Sequence, residues 1–223
     1  MDSVVLLSGG LDSSTLLYLM AQEGDVYPIT INYGQKHIRE IIAARNICES
    51  LGQKVLLRWK NVDLGVLQSL LPSALTDGAK KIPEGHYEDE SMKATVVPNR
   101  NMILLSIAAG YAQGIGVKLV AYAAHAGDHA IYPDCRPVFI RSIAETISLG
   151  TGWSNDGVQL RAPFQFKSKA QVVMEGARLK VPFEATWSCY KGEAKHCAKC
   201  GTCVERRESF KLAGITDPTE YEE

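Results

Sequence analysis

The stretch Ser8-Gly9-Gly10-Leu11-Asp12-Ser13-Ser14 constrains this chain more than any other. An apolar run, Val4-Val5-Leu6-Leu7, leads into it, and Thr15-Leu16-Leu17-Tyr18-Leu19-Met20 follows directly. That order predicts a buried strand, a glycine turn and the start of a helix. Gly9 and Gly10 carry no Cβ, so the backbone there can turn sharply and come close to a ligand. The hydroxyls of Ser13 and Ser14 stand beside the free amides of the first helical turn. With the positive end of the helix dipole, those amides make an anion site. The expected ligand is a phosphate.

The stretch lacks the Gly-Lys-Ser/Thr ending of Walker A and the third glycine of the Rossmann fingerprint. It resembles instead the PP-loop of the ATP pyrophosphatase superfamily, Ser-Gly-Gly-x-Asp-Ser. The resemblance implies cleavage of ATP between the α and β phosphates and adenylation of a carboxylate, amide or carbonyl oxygen.

The remaining chain reads as an alternation. Val26 to Tyr33 is an expected second strand, and a helix is expected from His37 to about Leu51 with Ile38, Ile41, Ile42 and Cys48 on one face. Val55 to Trp59 reads as a third strand, Lys118 to Ala124 as a fourth, and Val158 to Phe166 as extended chain. Helices are expected over 101–109, opened by Pro98-Asn99-Arg100, over 137–149, and over 168–179 with Ser168 as cap. Leu64 to Leu71 reads as a short helix inside a loop-like stretch, 61–98, with mobility expected around 77–92. Alternating strands and helices predict an α/β fold, a parallel twisted sheet with helices on both faces. Its 223 residues suffice for one domain with a real core, and we expect residues 1–223 to form a single PP-loop ATPase-like domain that includes the cysteine-rich segment 186–211.

A net charge of −1 gives no basic surface for nucleic acid, and no apolar run is long enough to span a membrane. A cytoplasmic protein without membrane or nucleic-acid partners is the expectation. Of six cysteines, Cys48 and Cys135 stand alone, while Cys189, Cys197, Cys200 and Cys203 crowd together. Clustering of this kind points to metal rather than a disulfide framework. Seven, two and two residues separate the four thiols, a spacing that closes around one ion. A structural four-thiolate zinc is the leading reading. The Cys-x2-Cys-x2-Cys run also fits part of an iron–sulfur pattern, and His196 is a substitute ligand.

In parallel sheets, ligands bind beyond the carboxyl ends of the strands. Three polar stretches sit at such ends: the Gly-Gly turn, Asn32-Tyr33-Gly34-Gln35-Lys36-His37, and 125–129 continuing into 132–136. Topology alone brings them to one crevice.

Taken in order, Ser-Gly-Gly-Leu-Asp-Ser-Ser, Asn-Tyr-Gly-Gln-Lys-His, Val-Pro-Asn-Arg-Asn (97–101), His-Ala-Gly-Asp-His-Ala-Ile-Tyr-Pro-Asp-Cys-Arg (125–136) and Thr-Trp-Ser-Cys-Tyr with the cysteine triplet are similar to the 7-cyano-7-deazaguanine synthase family, from Ser8 to Arg206. The resemblance implies ATP-dependent conversion of 7-carboxy-7-deazaguanine and ammonia to the nitrile in queuosine precursor biosynthesis. It implies an ATP site over Ser8, Gly9, Gly10, Leu11, Asp12, Ser13, Ser14, Thr15, Leu16, Leu17 and Tyr18, and zinc on Cys189, Cys197, Cys200 and Cys203. A homodimer enters by resemblance only.

That chemistry suggests roles. Ser8, Ser13, Ser14 and the loop amides would hold departing phosphates, with Asp12 positioning Mg²⁺. Tyr33, Gln35, Asn99, Arg100, Asp128, Asp134 and Arg136 supply a stacking face, hydrogen-bonding groups and a cation for the base and its carboxylate. His125 or His129 is the candidate base. Asp12, Ser13, His125 and Asp128 form the candidate catalytic set. Two other readings stay open: a PP-loop enzyme modifying tRNA directly, and a non-catalytic adenine-nucleotide-binding module.

Overall fold

The structure is a computed structural model that describes residues 1–36, 39–87, 89–154 and 156–222. Five parallel strands, β1 (Ser3–Leu6), β2 (Val26–Asn32), β3 (Lys60–Asp63), β4 (Leu119–Ala121) and β5 (Gln159–Arg161), pair in the order β3-β2-β1-β4-β5. β1 is central, in register with β2 through Val4 opposite Tyr27 and with β4 through Val4 opposite Val120.

Successive strand residues point to opposite faces, so both faces are apolar and each takes its own helices. Val4, Ile29 and Val120 pack with Leu105 and Ala108 of α4 (Arg100–Gly114) and Ile140, Ile143 and Ile147 of α5 (Pro137–Thr151). Val5, Leu119 and Ala121 pack on the other side. There they meet α1 (Leu11–Ala21), α2 (Arg39–Ser50), α6 (Lys169–Arg178) and α7 (Gly201–Ala213). The parallel sheet with helices on both faces is as the sequence predicts. Among the described residues, no helix is long and apolar enough to cross a membrane.

Two local expectations are corrected. Val55 to Trp59, read as a strand, forms the helix α3 (Gln53–Arg58), and the third strand follows at Lys60–Asp63. A five-residue apolar run satisfies either period. The strand itself is an edge strand of polar residues in which Val62 alone packs on the core. Ile42 faces outward at 48 % exposure, so the apolar face of α2 is carried by Ile41, Ala44, Ile47 and Cys48. The first residues expected in that helix, His37 and Ile38, lie outside the described residues.

Ser168 caps α6 as expected: its hydroxyl accepts from the Gln171 N–H, and the Gln171 side chain accepts from the Ser168 N–H. The stretch read as loop includes two 3-10 turns, Gly65–Ser69 and Glu90–Thr95, and it buries Tyr87 and Met92. α7 starts on Cys200 and carries the last cysteine, Cys203, in its first turn. α6 and α7 pack side by side, with Phe183 edge-on to Phe210 at 5.0 Å.

Candidate active site

At the end of β1 the chain turns through Gly9, whose φ of +87° favours glycine. A Cβ there would lie 2.3 Å from the Glu40 carbonyl oxygen and 2.5 Å from the Ala44 nitrogen, so the turn sits directly on α2. Gly10 caps α1 without a side-chain hydrogen bond. Ser13 Oγ accepts from the Ser8 N–H at 3.1 Å and donates to the Gly10 carbonyl. The Gly10 N–H is taken by Ser8 Oγ. The first-turn amides that follow have no partner one turn back, as at any helix start, and they open on a cavity of about 230 Å³.

Ser8, Gly10, Leu11, Asp12 and Ser13 line that cavity. Ser14, Thr15, Leu16 and Leu17 lie beneath it in the core, and Tyr18 bonds Ser50 at 2.8 Å. Three strand ends converge here as the topology predicts: the turn after β1 is joined by Tyr33 and Gln35 after β2 and by Asp128 from the loop after β4, and the start of α4 adds Arg100 and Asn101. Gln35 Oε1 accepts from the Tyr33 N–H at 2.9 Å. Arg100 donates to the Tyr33 hydroxyl at 3.3 Å and stands over its ring. The other expected substrate residues serve the frame. Asp134 accepts from the Asn101 N–H at 3.0 Å, Arg136 donates to the His129 carbonyl at 3.0 Å, and Asn99 precedes α4 in a left-handed conformation.

Asp12 is not a helix cap. Its Oδ2 binds Lys169 Nζ at 2.5 Å, while its Oδ1 is buried without a partner. Lys169 is the first residue of α6, and Ser168 capping sets its direction. His125, 1 % exposed, holds Nε2 at 3.2 Å from Lys169 Nζ and 3.5 Å from Asp128 Oδ1, and its Nδ1 accepts from the Gly127 N–H. Asp128 closes the group by accepting from the Tyr87 hydroxyl at 3.1 Å. Glu205 of α7 adds a third carboxylate, with Oε2 3.3 Å from Lys169 Nζ. Burial alone would raise the Asp12 carboxyl, but the Lys169 and His125 charges override it and hold the group below the ordinary range. Lys169 is pushed up for the complementary reason, its anionic neighbours outweighing burial. His129 lies apart from this group, and its Nε2 is buried without a partner.

Sequence reasoning missed Lys169, Glu205 and Glu40. Burial in the crevice pushes the Glu40 carboxyl up to about 7, against the opposing pull of Arg100. It also missed that the cysteine segment forms a cavity wall through Trp187, Ser188, Tyr190 and Thr202.

Behind that wall, one sulfur from each of Cys189, Cys197, Cys200 and Cys203 lies within 4.8 Å of the others, all buried. Backbone N–H groups point at the sulfurs: Lys191 and Cys197 at Cys189 Sγ, and Cys200 at Cys197 Sγ. Buried thiols in that arrangement fit a metal ion. His196 is excluded as a ligand through Nε2, which accepts from the Ser188 N–H at 3.1 Å while the ring stacks on Trp187. Arg206, 1 % exposed, fastens this segment to the core through Thr186 Oγ1, Ser188 Oγ, the Phe183 carbonyl and Asp217.

A central parallel strand running through a Gly-Gly turn into a helix N-terminus, faced by a buried Asp–Lys pair, defines an ATP-using enzyme of the PP-loop class. The family model described as Queuosine biosynthesis protein QueC matches residues 2–214. The chain is 51 % identical to the 7-cyano-7-deazaguanine synthase of Methanoregula boonei over 100 % of both chains. It is 47 % identical to that of Caldicellulosiruptor bescii over 100 % of this chain and 98 % of that one. For Archaeoglobus fulgidus the figure is 46 %, over 98 % and 89 %. The chain belongs to the QueC family.

Among solved structures, it overlaps the NH3-dependent NAD synthetase from Campylobacter jejuni at 15 % identity and a TM-score of 0.46, over 81 % of this chain and 65 % of that one. It overlaps the U34-tRNA thiolase NcsA from Methanococcus maripaludis at 14 % and 0.47, over 95 % and 64 %. Likeness that distant says nothing about the activity of this chain.

Proposed function

We propose that this QueC-family chain converts 7-carboxy-7-deazaguanine, ammonia and ATP to 7-cyano-7-deazaguanine in queuosine biosynthesis, with the crevice at the end of β1 as its active site. The observation that carries the assignment of the site is the buried Asp12–Lys169 pair facing the free amides of α1. A carboxylate is a poor electrophile, so its oxygen first attacks the α phosphorus of ATP, giving an acyl adenylate and pyrophosphate. The α1 amides, Ser8, Ser13 and Lys169 receive the charge of the departing phosphates, and Asp12 holds the Mg²⁺ that accompanies the nucleotide. Ammonia then displaces AMP, leaving the amide. Losing the amide oxygen takes a second adenylation, and release of AMP from that intermediate leaves the nitrile. His125 is assigned as the base for ammonium or the amine intermediate; it lies buried beneath the cavity and would act through Asp128 and Lys169, which line it. Tyr33 and Arg100 offer the base a ring face and a cation.

We assign zinc to the four cysteines. Four thiolates leave no vacant position, which supports a structural role in holding the cavity wall. The contact of Trp187 N–H with the Gly9 carbonyl at 2.9 Å supports one domain spanning the chain, cysteine segment included. A homodimer rests on resemblance alone, and a cytoplasmic setting on the use of ATP.

The test is mass spectrometry of the base after incubation with ammonium, Mg²⁺ and ATP. Amide followed by nitrile, with AMP forming, is the expected result. Synthetic amide left unconverted by enzyme and ATP would refute the second activation. Consumption of ATP with the base unchanged would point to another acceptor, tRNA first.

A further inference from the structure

Resting on that reading of the crevice, we propose that Glu205 is a positioning residue. It holds the Lys169 ammonium toward the departing phosphates, and through it the four-cysteine site reaches the ATP chemistry. Cys200 is the residue on which α7 starts, and Cys203 lies in its first turn. Two residues further on a helix is about 200° of rotation, so Glu205 leaves the opposite side from Cys203. Thr202, three residues before Glu205, shares its face and lines the cavity. The cysteine-bearing turn therefore sets the angle at which Glu205 approaches Lys169 behind the cavity lining.

Three features of Glu205 point to this role. The residue is 9 % exposed, and its Oε2 is buried. Its Oε2 approaches Lys169 Nζ to 3.3 Å, and Oε1 approaches His125 Nε2 to 3.9 Å. Oε2 nonetheless has no hydrogen-bond partner, because the approach to Lys169 is close but not aligned. Such a group acts on its neighbour through charge. Lys169 is thus drawn from two sides, by Asp12 at 2.5 Å and by Glu205. When Asp12 turns to Mg²⁺, Glu205 remains to keep the ammonium in place.

The experiment compares Glu205→Gln and Glu205→Asp with the unaltered holoenzyme, each also in a Lys169→Ala background. Readouts are kcat, KM for the carboxylic acid, inhibition by inorganic pyrophosphate, metal per chain and melting midpoint. Glu205→Gln is expected to lower kcat and weaken pyrophosphate inhibition by about 10- to 100-fold. Metal content, melting midpoint and KM for the acid should stay unchanged, and Glu205→Asp should recover part of the loss. With Lys169 already removed, Glu205→Gln should cost nothing further. Unchanged kcat and pyrophosphate inhibition would overturn the proposal, as would an additive loss in the Lys169→Ala background. Loss of metal or of the melting transition in both variants would also overturn it, making Glu205 part of the fold alone. Failure of the unaltered enzyme to act on the base would instead refute the reading of the crevice itself.

Discussion

Lys169 is the residue on which the crevice balances, since one ammonium and one imidazole face three carboxylates. Removing one partner of a buried ion pair leaves the others uncompensated, at a cost of about 3–5 kcal/mol. Lys169→Met is therefore expected to lower stability by that order in urea unfolding. It should also cut turnover by about 10²–10³-fold, the scale for losing a preorganised charge contact. Glu40 gives a pH signature. Its folded pKa of about 7 lies above the ordinary 4.5, so the folded state binds this proton more tightly. The stability it adds is complete below pH 4.5 and is lost as pH rises through about 7. Glu40→Gln should flatten that slope in unfolding measurements across the window. Neither Lys169 nor Glu205 carried a signal in the sequence, because a lone charge on an amphipathic helix looks like a solvated one. Asp12 and His125 were legible because each stands close to glycine at a strand end.

Among the elements, α6 is the one that delivers Lys169. It seats on α1 through Gly176, where a Cβ would come within 2.6 Å of Phe183 Cζ and 2.7 Å of Thr15 Oγ1. Gly176→Ala should destabilise the fold by about 1–3 kcal/mol, as overpacking does, and lower kcat by moving the helix start. Melting and steady-state kinetics on the same sample check both. The capping box at Ser168 made this helix readable in advance, down to its first residue. The third strand was not readable in the same way. Apolar residues mark α3, whereas the strand after it, Lys-Asn-Val-Asp, is specified by pairing with β2 through Ile31 opposite Val62 and its neighbours. Such pairing belongs to the tertiary fold and leaves little trace in a four-residue segment. α7 was missed for a related reason, since the cysteines at its start were read for their metal chemistry and not as a helix boundary.

At the scale of the whole molecule, the four-cysteine site and Arg206 hold the segment from Thr186 to Ala213 together, while Phe210 in the core and Trp187 on the Gly9 carbonyl join it to the rest of the fold. Stripping the metal with a chelator should therefore release Trp187, Ser188, Tyr190 and Thr202 from the cavity wall. Structural zinc contributes about 10–16 kcal/mol of apparent binding energy in small modules, so its loss should lower the melting midpoint sharply. Circular dichroism before and after chelation, then after zinc is restored, measures this. Recovery of both signal and turnover is the expected outcome.

The hydrogen bond from Trp187 to the carbonyl of Gly9 joins the beginning of the chain to a segment nearly 180 residues later. During synthesis the Gly-Gly turn leaves the ribosome long before Lys169, Trp187 or Glu205 exists to face it. At about 5–20 residues per second that interval lasts roughly ten to forty seconds. Throughout it, the residues that face the turn from α6, the cysteine segment and α7 are missing, although Asp12, Ser13, His125 and Asp128 have already been made. The site is therefore completed only when the last quarter of the chain has folded back onto its first turn.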